Sequence, residues 1–206
     1  MVERPDLADE LKRLADHDLA VRARLAEAGE LVGGYHPEMR DVHRSNGDRL
    51  AMIVDEVGRW PGYRLVGEDG SEAAFLIAQH DIANPTLIRR CRELYALAVD
   101  NADADPRRLA YLDDRIRYLE GRPQLYGTHL GWDREGKFGP WPPLDEPDRV
   151  DERRSRLGLS LLADAIAAAR EDRPPHRPVD EVLEDHRKAD DFARQAGWRD
   201  EDRQRG

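Results

Sequence analysis

Residues 5–28 read PDLADELKRLADHDLAVRARLAEA, and this stretch decides the fold class. Leu7, Leu11, Leu14, Val21 and Leu25 recur at the three- and four-residue spacing that gathers side chains on one face of an α-helix. Pro5 stands where a first helical turn needs no amide, and Gly29 follows the last apolar position. One position breaks the stripe. Asp18 occupies a place that the pattern assigns to an apolar residue, with Arg22 one turn later. Either the two form an ion pair on the margin of the helix, or Asp18 is a carboxylate aimed into a pocket.

The same period continues outward. Leu50, Ile53, Val54 and Val57 give a second helix from about Val42 to Val57, stopped by Gly58 and Trp60-Pro61-Gly62, after a loop over 30–40 that contains Gly33-Gly34 and Pro37. A short extended piece, Tyr63 to Val66, leads to a third helix capped by Asp69 or Ser71 and running to about Gln79. Asn84-Pro85 and Asp105-Pro106 open a fourth helix to about Val99 and a fifth to about Leu119. Beyond Gly121 the helical period stops, and a hairpin or ordered loop is expected around 122–142. Arg153 to Leu157 ends a short helix, and Ser160 caps another from Leu161 to Arg170. The expected fold is therefore mainly α, a compact multi-helix domain over 1–170. A C-terminal arm over 171–206 follows, made of a linker broken by Pro174-Pro175 and Pro178, an amphipathic helix from Val179 to Ala196, and a flexible tail.

Composition narrows the function classes. Leu, Ile, Val and Phe make up about a fifth of the 206 residues, just above the level where disorder sets in, so the core is economical. With 33 basic against 43 acidic side chains the net charge is −10, which argues against a surface that tracks nucleic-acid phosphates. No apolar run approaches the roughly 20 residues of a membrane span, and the charged N-terminus is unlike a signal peptide, so a cytoplasmic location is expected. Cys91, among Leu87, Leu94 and Tyr95, reads as a small buried hydrophobe rather than a nucleophile. No serine elbow, phosphate loop, dinucleotide fingerprint or helical zinc pair is present.

The polar residues that remain point to a site. Tyr111-Leu112-Asp113-Asp114-Arg115 and Gly121-Arg122-Pro123-Gln124-Leu125-Tyr126-Gly127-Thr128 concentrate hydrogen-bonding groups beside shape-setting glycines, a density that packing alone does not require. If residues 124–128 are extended, Gln124, Tyr126 and Thr128 face the same side. Otherwise these side chains satisfy the ends of neighbouring helices. His80 ends an apolar helix face between Gln79 and Asp81, and either complements the helix dipole or serves as an acid/base with Asp114 or Asp18 as its carboxylate. Arg115 is an internal ion-pair partner or an anion clamp. His36, His43, His80 and His129, with Asp18, Asp81 or Asp114, share no helical ligand spacing. A metal-independent site without cofactor is accordingly expected, with a bound metal as the alternative. Trp60, Trp132 and Trp141 read as core or rim aromatics.

Taken together, Asp18 with Arg22, Trp60-Pro61-Gly62, Val66-Gly67-Glu68, Ala73-Ala74-Phe75-Leu76 with Gln79-His80-Asp81, Ala110-Tyr111-Leu112 with Asp114-Arg115, Gly121 to Thr128, and Arg153-Arg154 with Leu157-Gly158-Leu159 resemble the bacterial family of unknown function DUF6624, over roughly residues 7 to 168. The resemblance implies the extent of the fold and the choice of site residues, and no particular reaction. His129 stands where relatives more often carry glutamine, and the segment after about Glu171 has no counterpart in the pattern.

The sequence thus leads to the expectation of a small bacterial enzyme that acts on a polar small molecule or a modified amino acid or peptide. His80, Asp114 and Tyr126 would be catalytic, and Asp18, Arg22, Gln79, Arg115, Gln124 and Thr128 would hold the ligand. A non-catalytic ligand- or peptide-binding module, or an accessory protein whose polar cluster is structural, is the rival, because all three need preorganised polar groups.

Overall fold

A proline at the first position of a helix costs no hydrogen bond and presets φ, and this chain uses the device repeatedly. In the computed structural model, which describes residues 2–31, 35–171, 173–174 and 176–199, α1 spans Pro5–Glu27, α2 Pro37–Val57, α3 Tyr63–His80, α4 Pro85–Asp100 and α5 Pro106–Leu119. Two strands follow, β1 Leu130–Trp132 and β2 Phe138–Pro140, then a 3₁₀ turn Pro147–Arg149, α6 Val150–Arg156, α7 Leu162–Arg170 and α8 Val179–Gln195. The protein is mainly α, as its periodicity predicts. Expectations for Gly33-Gly34, Pro175 and the tail beyond Arg199 fall outside the described residues.

The chain forms two compact units, Met1–Asp105 and Pro106–Gly206. In the first, α1 lies along α3, and α2 and α4 complete the packing. Leu7, Leu11, Leu25, Leu50, Ile53, Val54, Ile77 and Ile88 fill its core, with Cys91 buried as a small hydrophobe. Trp60 is a core residue, its indole Nε1 donating to Ser71 Oγ at 3.1 Å and its ring edge meeting Tyr95 at 4.9 Å.

Three helix starts differ from the sequence expectation, each for a local reason. The second helix begins at Pro37 instead of near Val42, because His36 Nδ1 accepts from the Glu38 amide and Pro37 opens the first turn. Tyr63 to Val66, expected to be extended, is helical. The carboxylate of Asp103 accepts from the Arg64 amide at 2.8 Å and so caps α3 from a distant point in the chain. Gly67, at φ 75° and ψ 174°, then kinks the helix before it resumes toward His80. The third case is α7, where the Leu162 amide donates to Asp151 Oδ1 at 2.8 Å and Ser160 makes no cap.

In the second unit β1 and β2 pair antiparallel, with Gly131 opposite Gly139, so the hairpin anticipated around 122–142 exists in a smaller form. The C-terminal segment is part of this unit's packing: Val182, Ala193 and Trp198 are buried, and Arg199 donates to the carbonyls of Leu119 and Tyr118 at the end of α5. Among the described residues no helix is long and apolar enough to cross a membrane.

Close approach of α1 and α3 depends on Gly70. A Cβ there would sit 2.8 Å from Cβ of Val66 and 3.3 Å from Cα of Ala8. Gly70→Val is therefore expected to lower unfolding free energy by about 1–3 kcal/mol, the usual penalty for overpacking a tight contact, as measured by chemical denaturation. A variant as stable as the parent would show that α1 does not rest on this glycine.

Candidate active site

Three helices of the first unit each contribute one titratable residue to a shared cluster. Asp18 lies on the buried stripe of α1 between Ala15 and Val21. His43 holds the corresponding inward place on α2, between Met39 and Asn46, and His80 closes α3. Polar residues on apolar stripes survive folding only when they meet one another. Here they do.

Asp18 is fully buried, and its Oδ2 accepts a hydrogen bond from Nδ1 of His80 at 2.8 Å. His43 Nε2 lies 3.3 Å from the same oxygen, oriented so that no hydrogen bond forms, and the opposite ring nitrogen of His43, Nδ1, meets the Tyr35 hydroxyl at 2.6 Å. The two imidazoles are 5.1 Å apart, and Tyr35 stacks on His43 at 5.5 Å. Burial alone would push the Asp18 carboxyl up, but the contacts and charge of His43 and His80 outweigh it and hold the group well below the usual carboxylate range. The carboxylate of Asp18 accepts from Nδ1 of His80, and the His80 ring is partly exposed. The Tyr35 phenol is held protonated by burial and by the Asp81 and Asp18 carboxylates.

Two supporting contacts fix this geometry. Asn46 Nδ2 donates to the Leu14 carbonyl at 3.1 Å, tying α2 to α1 one turn ahead of Asp18. Asp81, next to His80, lies against the backbone of α2, where a Cβ on Gly47 would come within 2.1 Å of its Oδ2. Both Asp81 oxygens are buried and lack a hydrogen-bond partner among the described residues, and so does Asp18 Oδ1. Burial pushes the Asp81 carboxyl up to about 6.

Of the residues expected at the site, Asp18 and His80 meet here. Gln79 is half-buried in the same last turn of α3, and Arg22 is exposed on α1 while Asp18 pairs with the histidines instead. Asp114, Arg115, Gln124, Tyr126 and Thr128 belong to the second unit, and the carboxylate that holds His80 is Asp18.

Asp114 has a different task. Its buried carboxylate accepts from the amides of Leu125 (2.7 Å), Tyr126 (3.2 Å) and Thr128 (2.9 Å) and from Thr128 Oγ1 (2.9 Å). Residues 124–128 do not alternate as a strand, because these amides and Gly127, at φ 64°, curl the segment around the carboxylate. Gln124, fully buried, donates from Nε2 to the carbonyls of His129 and Pro142 and accepts from the His129 amide. From α6, Arg154 donates to the Tyr126 and Ser160 carbonyls and Arg153 to that of Leu125. Arg115 acts on the ring of His129, which lies tilted against Tyr118 with ring centroids 3.9 Å apart.

The pattern that defines the family of unknown function DUF6624 matches residues 5–173. The chain belongs to that family. The match spans both constellations and ends before α8, so in this DUF6624 protein the last helix lies outside the shared region while completing the second unit. Comparisons with curated proteins and with solved structures find no match.

His43, Tyr35, Asn46, Arg153 and Arg154 carry structural weight that the sequence reading did not assign. For His43 the signal was present, since it interrupts an apolar helix stripe as Asp18 does. Tyr35 and the two arginines act through contacts between distant segments, which spacing does not encode.

Two measurements separate the constellations. Asp114→Ala strips the Leu125, Tyr126 and Thr128 amides of their acceptor and is expected to cost about 3 kcal/mol or more in denaturation experiments, whereas a loss below about 1 kcal/mol would show that the loop holds itself. His129, half-buried, has its imidazole pushed down to about 3 by burial and by Arg115. A depressed histidine takes up its proton in the unfolded chain first, so the associated stability is full above about pH 6.5 and is lost as the pH falls toward 3. His129→Gln should flatten that acid limb of the stability profile, and a profile unchanged between pH 6.5 and 4 would contradict the assignment.

Proposed function

We propose that this DUF6624 protein is a small cytoplasmic bacterial enzyme that performs acid–base chemistry on a polar small molecule, or a modified amino acid or peptide, at the Asp18–His43–His80 cluster. One observation carries the reading: a fully buried carboxylate, Asp18, lies 2.8 Å from Nδ1 of His80, whose ring is itself partly exposed. That is the arrangement by which a carboxylate orients an imidazole and stabilises its protonated form during proton transfer. The His80 ring takes a proton from the substrate, or from the water that attacks it, and Asp18 balances the charge that develops. On the other side Tyr35 fixes His43, whose Nε2 lies 3.3 Å from the same Asp18 oxygen.

The acidic surface favours a small or cationic partner over nucleic acid. The rival reading of a structural polar cluster fits residues 114–129, where the carboxylate of Asp114 and the amide of Gln124 are bonded to their own loop.

Turnover is tested on a panel of esters, amides, phosphoesters and lactams, with His80→Gln as the diagnostic variant. The expected result is a loss of about 10²- to 10⁴-fold in kcat/KM, the usual contribution of a positioned general base, in protein that circular dichroism shows to be folded. Activity that survives His80→Gln, or no turnover of any panel member by the parent, overturns the reading.

A further inference from the structure

We propose that the Asp18–His43–His80 cluster is a binding site for a divalent transition-metal ion of the zinc and iron class. The inference rests on the reading above that this cluster is the reacting centre, and it changes which atom accepts the proton. One oxygen of Asp18 and one ring nitrogen from each histidine all lie within 4.8 Å of one another, with His80 Nδ1 at 2.8 Å and His43 Nε2 at 3.3 Å from Asp18 Oδ2. Atoms bound to one ion at about 2.0–2.1 Å in tetrahedral geometry sit roughly 3.3 Å apart, so the three groups are gathered closely enough to reach a common centre with small side-chain adjustments. Two imidazoles and one carboxylate suit zinc or iron, whereas magnesium and calcium prefer oxygen ligands throughout.

Unsatisfied groups support the same conclusion independently. Asp18 Oδ1 and His43 Nε2 are buried without a hydrogen-bond partner among the described residues, as are both oxygens of Asp81. Asp18 is fully buried and Asp81 is 1 % exposed. Asp81 is close enough to interact electrostatically with His43 and Tyr35. A buried, unsatisfied oxygen of this kind on Asp18, gathered beside two imidazoles, suits a bound cation.

Tyr35 completes the argument. A histidine that ligates a metal through one ring nitrogen ordinarily donates its other N–H to an oxygen, and His43 Nδ1 lies 2.6 Å from the Tyr35 hydroxyl. With an ion bound through His43 Nε2 and His80 Nδ1, each ring keeps a single proton on the opposite nitrogen. That proton is donated to Tyr35 by His43 and faces the partly exposed side by His80. Three protein ligands leave a position for water, whose pKa an ion of this class lowers toward neutrality, and that water then supplies the base in place of His80 Nε2.

The test uses full-length, tag-free protein purified without metal-affinity resin, stripped with chelator, and titrated calorimetrically with zinc chloride, with cobalt chloride as the spectroscopic probe and magnesium chloride as control. Expected are one zinc ion per chain, a tetrahedral-type cobalt absorption band, and no magnesium binding. His43→Gln should weaken zinc binding at least 100-fold, and Tyr35→Phe, which removes only the outer oxygen, about 10- to 100-fold. Circular dichroism identifies variants that remain folded. Zinc binding that is absent in the parent, or equally tight in folded His43→Gln, overturns the proposal. Turnover by the chelator-treated protein that still requires His80 rejects the metal and keeps the acid–base reading. Stoichiometric zinc with no turnover of the panel keeps the site and rejects the enzyme.

Discussion

A carboxylate with no exposed surface is tolerated only if other groups take over the work of water, and the first unit is organised around meeting that demand at Asp18. Its partners arrive on separate helices: His43 from the middle of α2 and His80 from the last turn of α3. The rest of the unit reads as what is needed to bring those turns to one level. Asn46 pins α2 to the Leu14 carbonyl, Gly70 lets α3 close on α1, and Asp103 fixes where α3 begins. The kink at Gly67 falls between that fixed start and the segment that carries His80.

The second unit solves the same electrostatic problem in another way. Asp114 is as deeply buried as Asp18, yet it collects backbone amides instead of imidazoles. Amides do not titrate, so a carboxylate satisfied by them stiffens a loop and offers no route for a proton. Imidazoles as a class do titrate, and that is why the proposed chemistry is placed at the smaller cluster although residues 110–128 are the more crowded stretch of sequence.

Local order was legible in the chain to a large extent. The stripe from Leu7 to Leu25, the cap-and-proline start at Asn84-Pro85 and the loss of period after Gly121 each correspond to an element. Misreadings arose where the deciding partner is remote, as with the Asp103 carboxylate that turns Tyr63 to Val66 into helix, or Asp151 in place of Ser160 at α7. The site divides along the same line. Asp18 declared itself by interrupting an apolar stripe, and His80 by its place at a helix end. Their pairing, 62 positions apart, had no signature in spacing, because the three side chains of the cluster come from three helices and not from one; His43, like Asp18, showed itself only as an interruption of an apolar stripe. Alternation of Gln124, Tyr126 and Thr128 suggested a shared face, and Gly127 with its positive φ cancelled it.

The last helix sets apart two notions of where a protein module ends. The family match stops at residue 173, whereas Trp198 is buried and Arg199 binds the carbonyls that terminate α5. A helix end needs its free carbonyls satisfied, and here the partner is supplied from about eighty residues downstream. A fragment cut at the family boundary would retain every residue of the Asp114 loop and lose the guanidinium that closes the helix leading into it. Shared sequence marks what relatives have in common, and the folding boundary of this chain lies farther on.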